Sequence, residues 1–362
     1  MNTTQPVPDS QISGLVTGLA ALDLGDWARP DITRVLSELG WTRAEEDAAT
    51  TRLWTLRTGL PTGDAYAYPG ESTGFRPSLT VSLANHGTDA ERAAEVFHTA
   101  RRAAERLLGH APLRGGPGPW LRWRQPRTTL QLRFRGGWRQ DGEDVRPEAG
   151  VSLEVLPTEQ FEYRELRTFQ HTPEDAPYLW CRLVHCDAAE GMLLPGDARA
   201  EGWKDFEERL ERTLEALLDD APLLGELPLT LMLSGPSLDG TPDCACYIKL
   251  TDDGLRLESA LDPYPNVLST LIELGWTPPS DDWIAALTSD DWDWFQEPSG
   301  EANFTHHLPG PGRGPAAKQA ATAARLVVGA LRTVATEPAE LSYWVGRNGE
   351  NTGMRLPLLG VH

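Results

Sequence analysis

The chain has 362 residues, 40% of them hydrophobic and 13 of them tryptophan, so it has enough apolar material for folded cores. That length exceeds what one core usually serves, and two domains are therefore expected. The formal net charge of -20 is uneven, because residues 1–160 carry 18 arginines and 20 acidic residues, whereas residues 161–362 carry 15 basic and 33 acidic residues. Phosphate backbones require clustered cations, so the second half is not expected to bind nucleic acid.

The N-terminal sequence and the cysteines indicate the compartment. The first residues, MNTTQPVPDSQ, contain no basic residue, and the apolar patch at 12–24 is too short for a signal peptide or a membrane span. The chain has 4 cysteines, which suits reduced thiols. We expect a cytoplasmic protein with no membrane partner, and the excess of arginine over lysine is typical of a high-GC bacterial genome.

The composition along the chain predicts four segments. They are a mobile N-terminal segment at 1–26, a first α+β domain at 27–160, a linker at 161–200 and a second α+β domain at 201–362.

The first domain is predicted to contain six strands and two helices. Pro30 suits the first turn of a helix that stops at Gly40, and Thr88 with Glu91 forms a capping box that opens a longer helix. The strands are expected at 53–58, 65–68, 78–84, 121–125, 129–134 and 151–156. The resulting order is αβββαβββ, which indicates an antiparallel sheet packed with helices.

The second domain is predicted to be another α+β domain. A helix opens at Trp203, Asp252-Asp253-Gly254 makes a tight hairpin turn, and Asp262-Pro263 caps another helix. Strands are expected at 229–233, 246–250, 255–260, 291–295 and 303–308, and a last helix at 315–336. The predicted order is αβββαββα.

One heptapeptide occurs twice, as LSELGWT from Leu36 and as LIELGWT from Leu271. Each copy ends a stretch with helical apolar spacing, and its glycine suits the left-handed position just past a helix. That cap brings each tryptophan against the residue five before it. Four residues of the motif are therefore expected to be structural: Gly40, Trp41, Gly275 and Trp276.

The second half resembles a known group of domains. The runs YIKL at 247–250 and LESA at 257–260, then LIELGWTPP and a helix ending in LRTV before Pro338, are similar to YbjN-like and TY-Chap domains, a group similar to the class I chaperones of type III secretion. The likeness covers about residues 201–345 and implies a small α+β fold that binds peptides or protein partners without catalysis. The pattern differs in having Asp282-Trp283 where the group has Asn-Trp.

The first half resembles a partner domain of unknown function found in the same kind of bacterial protein. The residues that carry this likeness are LGW at 39–41 and the Arg122-Trp123-Arg124 strand.

Two surfaces are candidate partner-binding sites. In the first domain, arginines on neighbouring strands share one face. This face could hold an acidic peptide, a phosphate or nucleic acid, or could be neutralised by acids of the protein itself, including those of the acidic second half. In the second, alternation places two tryptophans on one face of a strand and two aspartates on the other. The candidate residues are Arg122, Arg124, Arg133, Arg135, Asp291, Trp292, Asp293 and Trp294.

No motif predicts a cofactor, a metal or a catalytic group. The four cysteines lack zinc-finger spacing, and the glycines at 310, 312 and 314 are not followed by the Lys and Ser or Thr of a phosphate loop. We expect a non-enzymatic peptide- or protein-binding module of chaperone-like type. Two alternatives stay open: a metal-dependent enzyme that uses the acidic second domain, and an immunity or regulatory protein that caps one partner.

Overall fold

The computed structural model describes most of the chain. The described residues are 5–44, 53–63, 65–70, 77–116, 118–141, 144–171, 181–182, 199–235, 244–260, 265–287, 301–309, 316–335, 337–347, 350–352, 354–356 and 359–361. The chain forms two compact units, Met1–Pro177 with Cys181–Pro195, and Tyr178–Trp180 with Gly196–His362. Each unit is an antiparallel sheet packed with helices, so the predicted α+β class is confirmed.

The first unit contains four described helices and nine described strands. The helices are α1 (Asp9–Ala20), α2 (Arg29–Glu38), α3 (Ala90–Leu108) and α4 (Thr158–His171). The strands are β1 (Thr42–Arg43), β2 (Trp54–Arg57), β3 (Ala65–Tyr68), β4 (Ser78–Asp89), β5 (Leu113–Gly115), β6 (Trp120–Arg124), β7 (Thr128–Asp141), β8 (Asp144–Pro157) and β9 (Cys181–Arg182).

Eight of these strands form one sheet in the order β1-β2-β3-β4-β8-β7-β6-β5. Alternate residues of β7 point to opposite faces. Leu130, Leu132 and Phe134 are buried on the inner face, where α3 packs against β4, β7 and β8. The rings of Phe97 and Phe134 meet edge to face at 5.9 Å, and this contact fixes α3 on the sheet.

The sequence predicted a mobile segment at 1–26, whereas the structure shows a packed helix there. Residues 9–20 form α1, whose Ile12, Val16 and Leu19 are buried and which packs along α3. The backbone N–H of Val7 also donates to the carbonyl of Leu83 at 2.8 Å. The apolar spacing in this stretch therefore serves a packed helix.

The predicted linker from 161 begins within a helix. α4 starts at Thr158, and its Phe161 and Glu162 are 1% and 4% exposed. The charged residues of α4 made it resemble an exposed segment. Their partners, Arg122 and Arg124, lie on a strand distant in sequence, so the burial was not predictable from local pattern. The cap of α3 also differs from the prediction, since the Asp89 side chain accepts from the N–H groups of Glu91 and Arg92.

The second unit contains four described α-helices, one described 3-10 helix (Pro338–Glu340) and seven described strands. The helices are α5 (Trp203–Leu224), α6 (Pro265–Leu274), α7 (Asp281–Leu287) and α8 (Ala316–Leu331). The strands are β10 (Leu229–Ser234), β11 (Cys244–Thr251), β12 (Gly254–Ser259), β13 (Phe304–Pro309), β14 (Ser342–Arg347), β15 (Glu350–Asn351) and β16 (Met354–Arg355). The sequence had not predicted β14 or α7, and the strand it predicted at 291–295 lies outside the described residues.

Six of these strands form an antiparallel sheet in the order β13-β12-β11-β10-β14-β15. α8 packs against β11, β12 and β13, and α5 packs alongside α8. The inner face under these helices carries Leu231, Ile248, Leu257 and Val345, which pair across the strands and are 0–2% exposed.

The heptapeptide has the same geometry in both units. Gly40 and Gly275 have φ of 71° and 101°, the left-handed region that glycine occupies without strain. The N–H of Trp41 donates to the Leu36 carbonyl at 2.8 Å, and that of Trp276 to the Leu271 carbonyl at 3.0 Å. These are the hydrogen bonds that the motif predicts.

The residue after each tryptophan joins a strand. Thr42 pairs with Arg57 in β2, and Thr277 pairs with Thr305 in β13. Each copy therefore ends a helix and attaches the following chain to its sheet. Within the described residues, no helix is both long and apolar enough to cross a membrane.

Candidate functional site

The outer face of the second sheet is the face opposite α8. Because strand residues alternate, the neighbours of the buried leucines point outward. Across three central strands, Met232 in β10 lies opposite Tyr247 in β11 on one side and Trp344 in β14 on the other. All three are half-buried. We call these three residues the outer-face row.

The Trp344 side chain lies flat along its own strand. A Cβ atom built at Gly346 would lie 1.8 Å from the Trp344 ring, so a residue with a side chain at 346 would displace the indole. Gly346 therefore provides the space for the ring on the sheet surface. Tryptophan and tyrosine are enriched among the residues that dominate binding energy at interfaces, and methionine adapts to different partners.

Charged residues lie beside the row on β11 and β12. The Glu258 carboxylate, only 9% exposed, accepts from Lys249 Nζ at 2.7 Å and lies 2.7 Å from Arg256 Nε. Arg256 also pairs with Glu301 at 3.1 Å. Two cations and two anions balance, so this part of the face is locally neutral although the second half of the chain is strongly acidic.

In the first unit, two of the predicted arginines contact α4. Arg122 donates to both carboxylate oxygens of Glu165 at 2.8 and 2.7 Å, and Arg124 donates to Glu162 at 2.6 Å. The Arg122 guanidinium also stacks 3.7 Å from the Trp120 ring centre and 4.4 Å from that of Phe161. Acids of the same unit therefore neutralise these two arginines, and α4 buries Arg122.

The other two arginines differ in exposure. Arg135 is 60% exposed and pairs with Glu154 at 3.2 Å, while Arg133 is half-buried between β6 and β8. The structure thus places Arg122 and Arg124 against α4, leaves Arg135 exposed and holds Arg133 half-buried.

The predicted anchor strand of the second unit cannot be placed, since Asp291, Trp292, Asp293 and Trp294 lie outside the described residues. His306 and His307 point to opposite faces of β13, and the His306 ring lies 3.0 Å from the Gly275 carbonyl. In the part of the chain that the structure describes, no cluster of three His, Cys, Asp or Glu residues could hold a metal ion.

The outer-face row was missed by sequence reasoning. Its three residues are separated by up to 112 positions and meet only through strand register, and β14 itself was not predicted. Part of the row was predictable from the sequence. Met232 and Tyr247 alternate with buried leucine and isoleucine in strands that were predicted correctly, which places both side chains on the outer face.

Together, these features define a two-unit α+β protein with accessible side chains on the outer faces of its sheets. Residues 196–345 match the model of the family described as T3SS (YopN, CesT) and YbjN peptide-binding chaperone 3. Residues 11–136 match the model of a family of unknown function, DUF6301. The resemblance predicted from the sequence is thus confirmed for both halves. No curated protein and no solved structure matches the chain significantly.

Proposed function

We propose that the second unit is a non-enzymatic, chaperone-like module that binds a peptide or protein segment, and that its ligand lies on the outer-face row. The observation that carries this proposal is the row itself, which places two half-buried aromatic side chains and a methionine side by side on three neighbouring strands. The match of residues 196–345 to a family of peptide-binding chaperones supports it.

The chemistry of the surface indicates the kind of segment. Apolar side chains of a ligand can pack on Trp344 and Tyr247, while the ligand's polar groups meet the charges around Glu258. The field of the acidic second half favours cationic segments during approach. We therefore expect basic segments that contain apolar residues, bound with a Kd on the order of micromolar or weaker for single peptides. In this proposal, the protein acts in the cytoplasm.

A peptide array probed with the full-length protein tests this function. Binding should favour cationic, apolar-containing peptides, decrease at high salt because the charges at the edge of the site are exposed, and be unchanged by EDTA. Trp344→Ala should reduce the signal by about tenfold, as loss of an interface tryptophan commonly does. Ile272→Ala is the matched control, since Ile272 is 47% exposed on α6 in the same unit.

Several outcomes would contradict the proposal. If Trp344→Ala binds as well as the wild type, the row is not the site, and Tyr247→Ala provides a second variant should the first fail to fold. An array without preference for cationic peptides would refute the charge argument. Binding that EDTA abolishes would favour the metal-dependent alternative, and a pull-down that recovers one stoichiometric protein would favour a regulatory cap.

A further inference from the structure

Arg133 differs from Arg122, Arg124 and Arg135, which lie on the same face of the first sheet and are each paired with a carboxylate. Its Nε is buried without a hydrogen-bond partner. Among the described residues, its guanidinium forms no ion pair, although it is half-buried. A buried charge that lacks a partner costs stability, and proteins usually avoid it.

The charges around Arg133 do not balance. Three neighbouring arginines each have a glutamate: Arg122 has Glu165, Arg124 has Glu162 and Arg135 has Glu154. Glu154 has further donors, because it also accepts from Gln131 at 2.8 Å and from Ser152 at 3.1 Å. Among the described side chains of this face, four guanidinium groups therefore face three carboxylates, and the unbalanced positive charge lies on Arg133.

The electrostatics of the site agree with this count. Burial lowers the pKa of the Arg133 guanidinium, and the positive charges of Arg135 and Arg122 lower it further, while Glu154 and Glu165 oppose the change. The surroundings thus disfavour the charged form of a group that is charged throughout the physiological range. An added anion would remove this cost.

We propose that Arg133 and Arg135 form a binding site for a single carboxylate group, contributed by a side chain or the C-terminus of an acidic peptide segment. The two arginines share one face of β7, and residues two apart on a strand lie about 7 Å from each other. A guanidinium group matches a carboxylate through two parallel N–H···O bonds. Arg135 lies beside Arg133 and is exposed, so its positive charge can attract the anion to the site.

A carboxylate suits the site better than a phosphate. One negative charge balances the surplus on Arg133, whereas a phosphate dianion or a nucleic-acid backbone would bring additional negative charge near Glu154 and Glu165. The site is assigned to the first unit and does not depend on the function proposed for the second.

Arrayed peptides that each contain one Glu, with Gln counterparts as a control, provide the probe. The full-length protein should retain a set of Glu peptides and release their Gln counterparts. Arg133→Gln should weaken these signals about tenfold, as loss of a charged hydrogen-bonded pair does. Arg133→Lys should recover part of the loss, because lysine keeps the positive charge but cannot form the paired hydrogen bonds of a guanidinium group. Arg127→Gln, which removes a 62% exposed arginine of the same unit, should leave the signals unchanged.

A stability measurement separates binding from a structural role. Without ligand, Arg133→Gln should leave the denaturant midpoint unchanged or raise it, whereas Arg122→Gln should lower it. The proposal is overturned if Arg133→Gln lowers the midpoint as much as Arg122→Gln, or if Glu-dependent binding persists in Arg133→Gln. Stronger competition by inorganic phosphate than by acetate at equal ionic strength would overturn the carboxylate assignment. Trp344→Ala should not affect these signals, so failure here and failure of the second-unit proposal are distinguishable.

Discussion

Arg122 of β6 and Glu165 of α4 form a two-pronged ion pair, with their side chains 6% and 14% exposed. The pair joins the outer face of the first sheet to the helix that covers it. The arginine is further restrained, since Arg122 also donates from Nε to Gln131 and stacks on Trp120. The charged residues of α4 thus act as an internal clamp of the first unit.

We expect that removal of one partner of the Arg122–Glu165 ion pair destabilises the first unit. Glu165→Ala leaves the Arg122 charge buried without its carboxylate and should lower the free energy of unfolding by about 3–5 kcal/mol. Glu159→Ala, on an exposed position of the same helix, should change it by less than about 0.5 kcal/mol. Chemical denaturation measures both, and equal effects of the two variants would show that the clamp does not hold α4.

Each tryptophan of the repeated motif should stabilise its own unit. Trp276 is 3% exposed and donates from Nε1 to the Leu326 carbonyl at 3.3 Å, and Trp41 is 7% exposed. Trp276→Ala or Trp41→Ala should therefore cost about 3–5 kcal/mol, as removal of a buried tryptophan generally does. Ile272→Ala, one turn before Trp276 and exposed, serves as the control. A variant that unfolds at the wild-type denaturant midpoint would exclude a structural role for that tryptophan.

The glycine of the motif should be needed for its backbone angle. A Cβ at Gly40 would meet no atom within 4 Å, so the cost of Gly40→Ala comes from its φ of 71° and should be about 1–2 kcal/mol. Gly14 lies inside α1 and also has free space around it. Gly14→Ala should instead stabilise by about 0.5–1 kcal/mol. Unfolding experiments that find the same sign for both variants would contradict this account.

His98 on α3 should make stability depend on pH. Burial lowers its pKa, and Arg101 and Arg102 lower it further, so the unfolded chain binds a proton more readily than the folded one. Stability should fall as pH decreases from about 6.5 toward the lowered pKa, because protonation then favours unfolding. His98→Gln should flatten the unfolding free energy over this range, and His307→Gln, on an exposed position, should not. Parallel pH profiles of wild type and His98→Gln would contradict the prediction.

The two-unit division predicts where proteases cut. We expect limited proteolysis to cleave first between about residues 160 and 200 and to release two folded fragments. Cleavage inside α4 before 166 is not expected, because Phe161 and Glu162 are buried. Mass spectrometry locates the cuts, and one resistant fragment that spans the whole region would contradict the division.

Local patterns in the sequence determined much of this protein. The helix ends at Gly40 and Gly275, most strands and the antiparallel α+β class were predictable, because glycine at a helix end and alternation in a strand depend on neighbouring residues. The family resemblance was also carried by short runs of residues. β14 was not predicted, although Tyr343, Trp344 and Val345 are typical strand formers. α4 was not predicted because its charges are typical of an exposed segment.

Only the tertiary structure decided which side chains meet. Trp344, Met232 and Tyr247 form one row because strand register aligns β14, β10 and β11, and no local pattern specifies that alignment. In the same way, the sequence contained the arginines of the first sheet, but the packing of α4 determined that Arg122 and Arg124 are neutralised while Arg133 is not. Pairing between distant segments depends on how whole surfaces bury one another, which a sequence determines only through the complete fold.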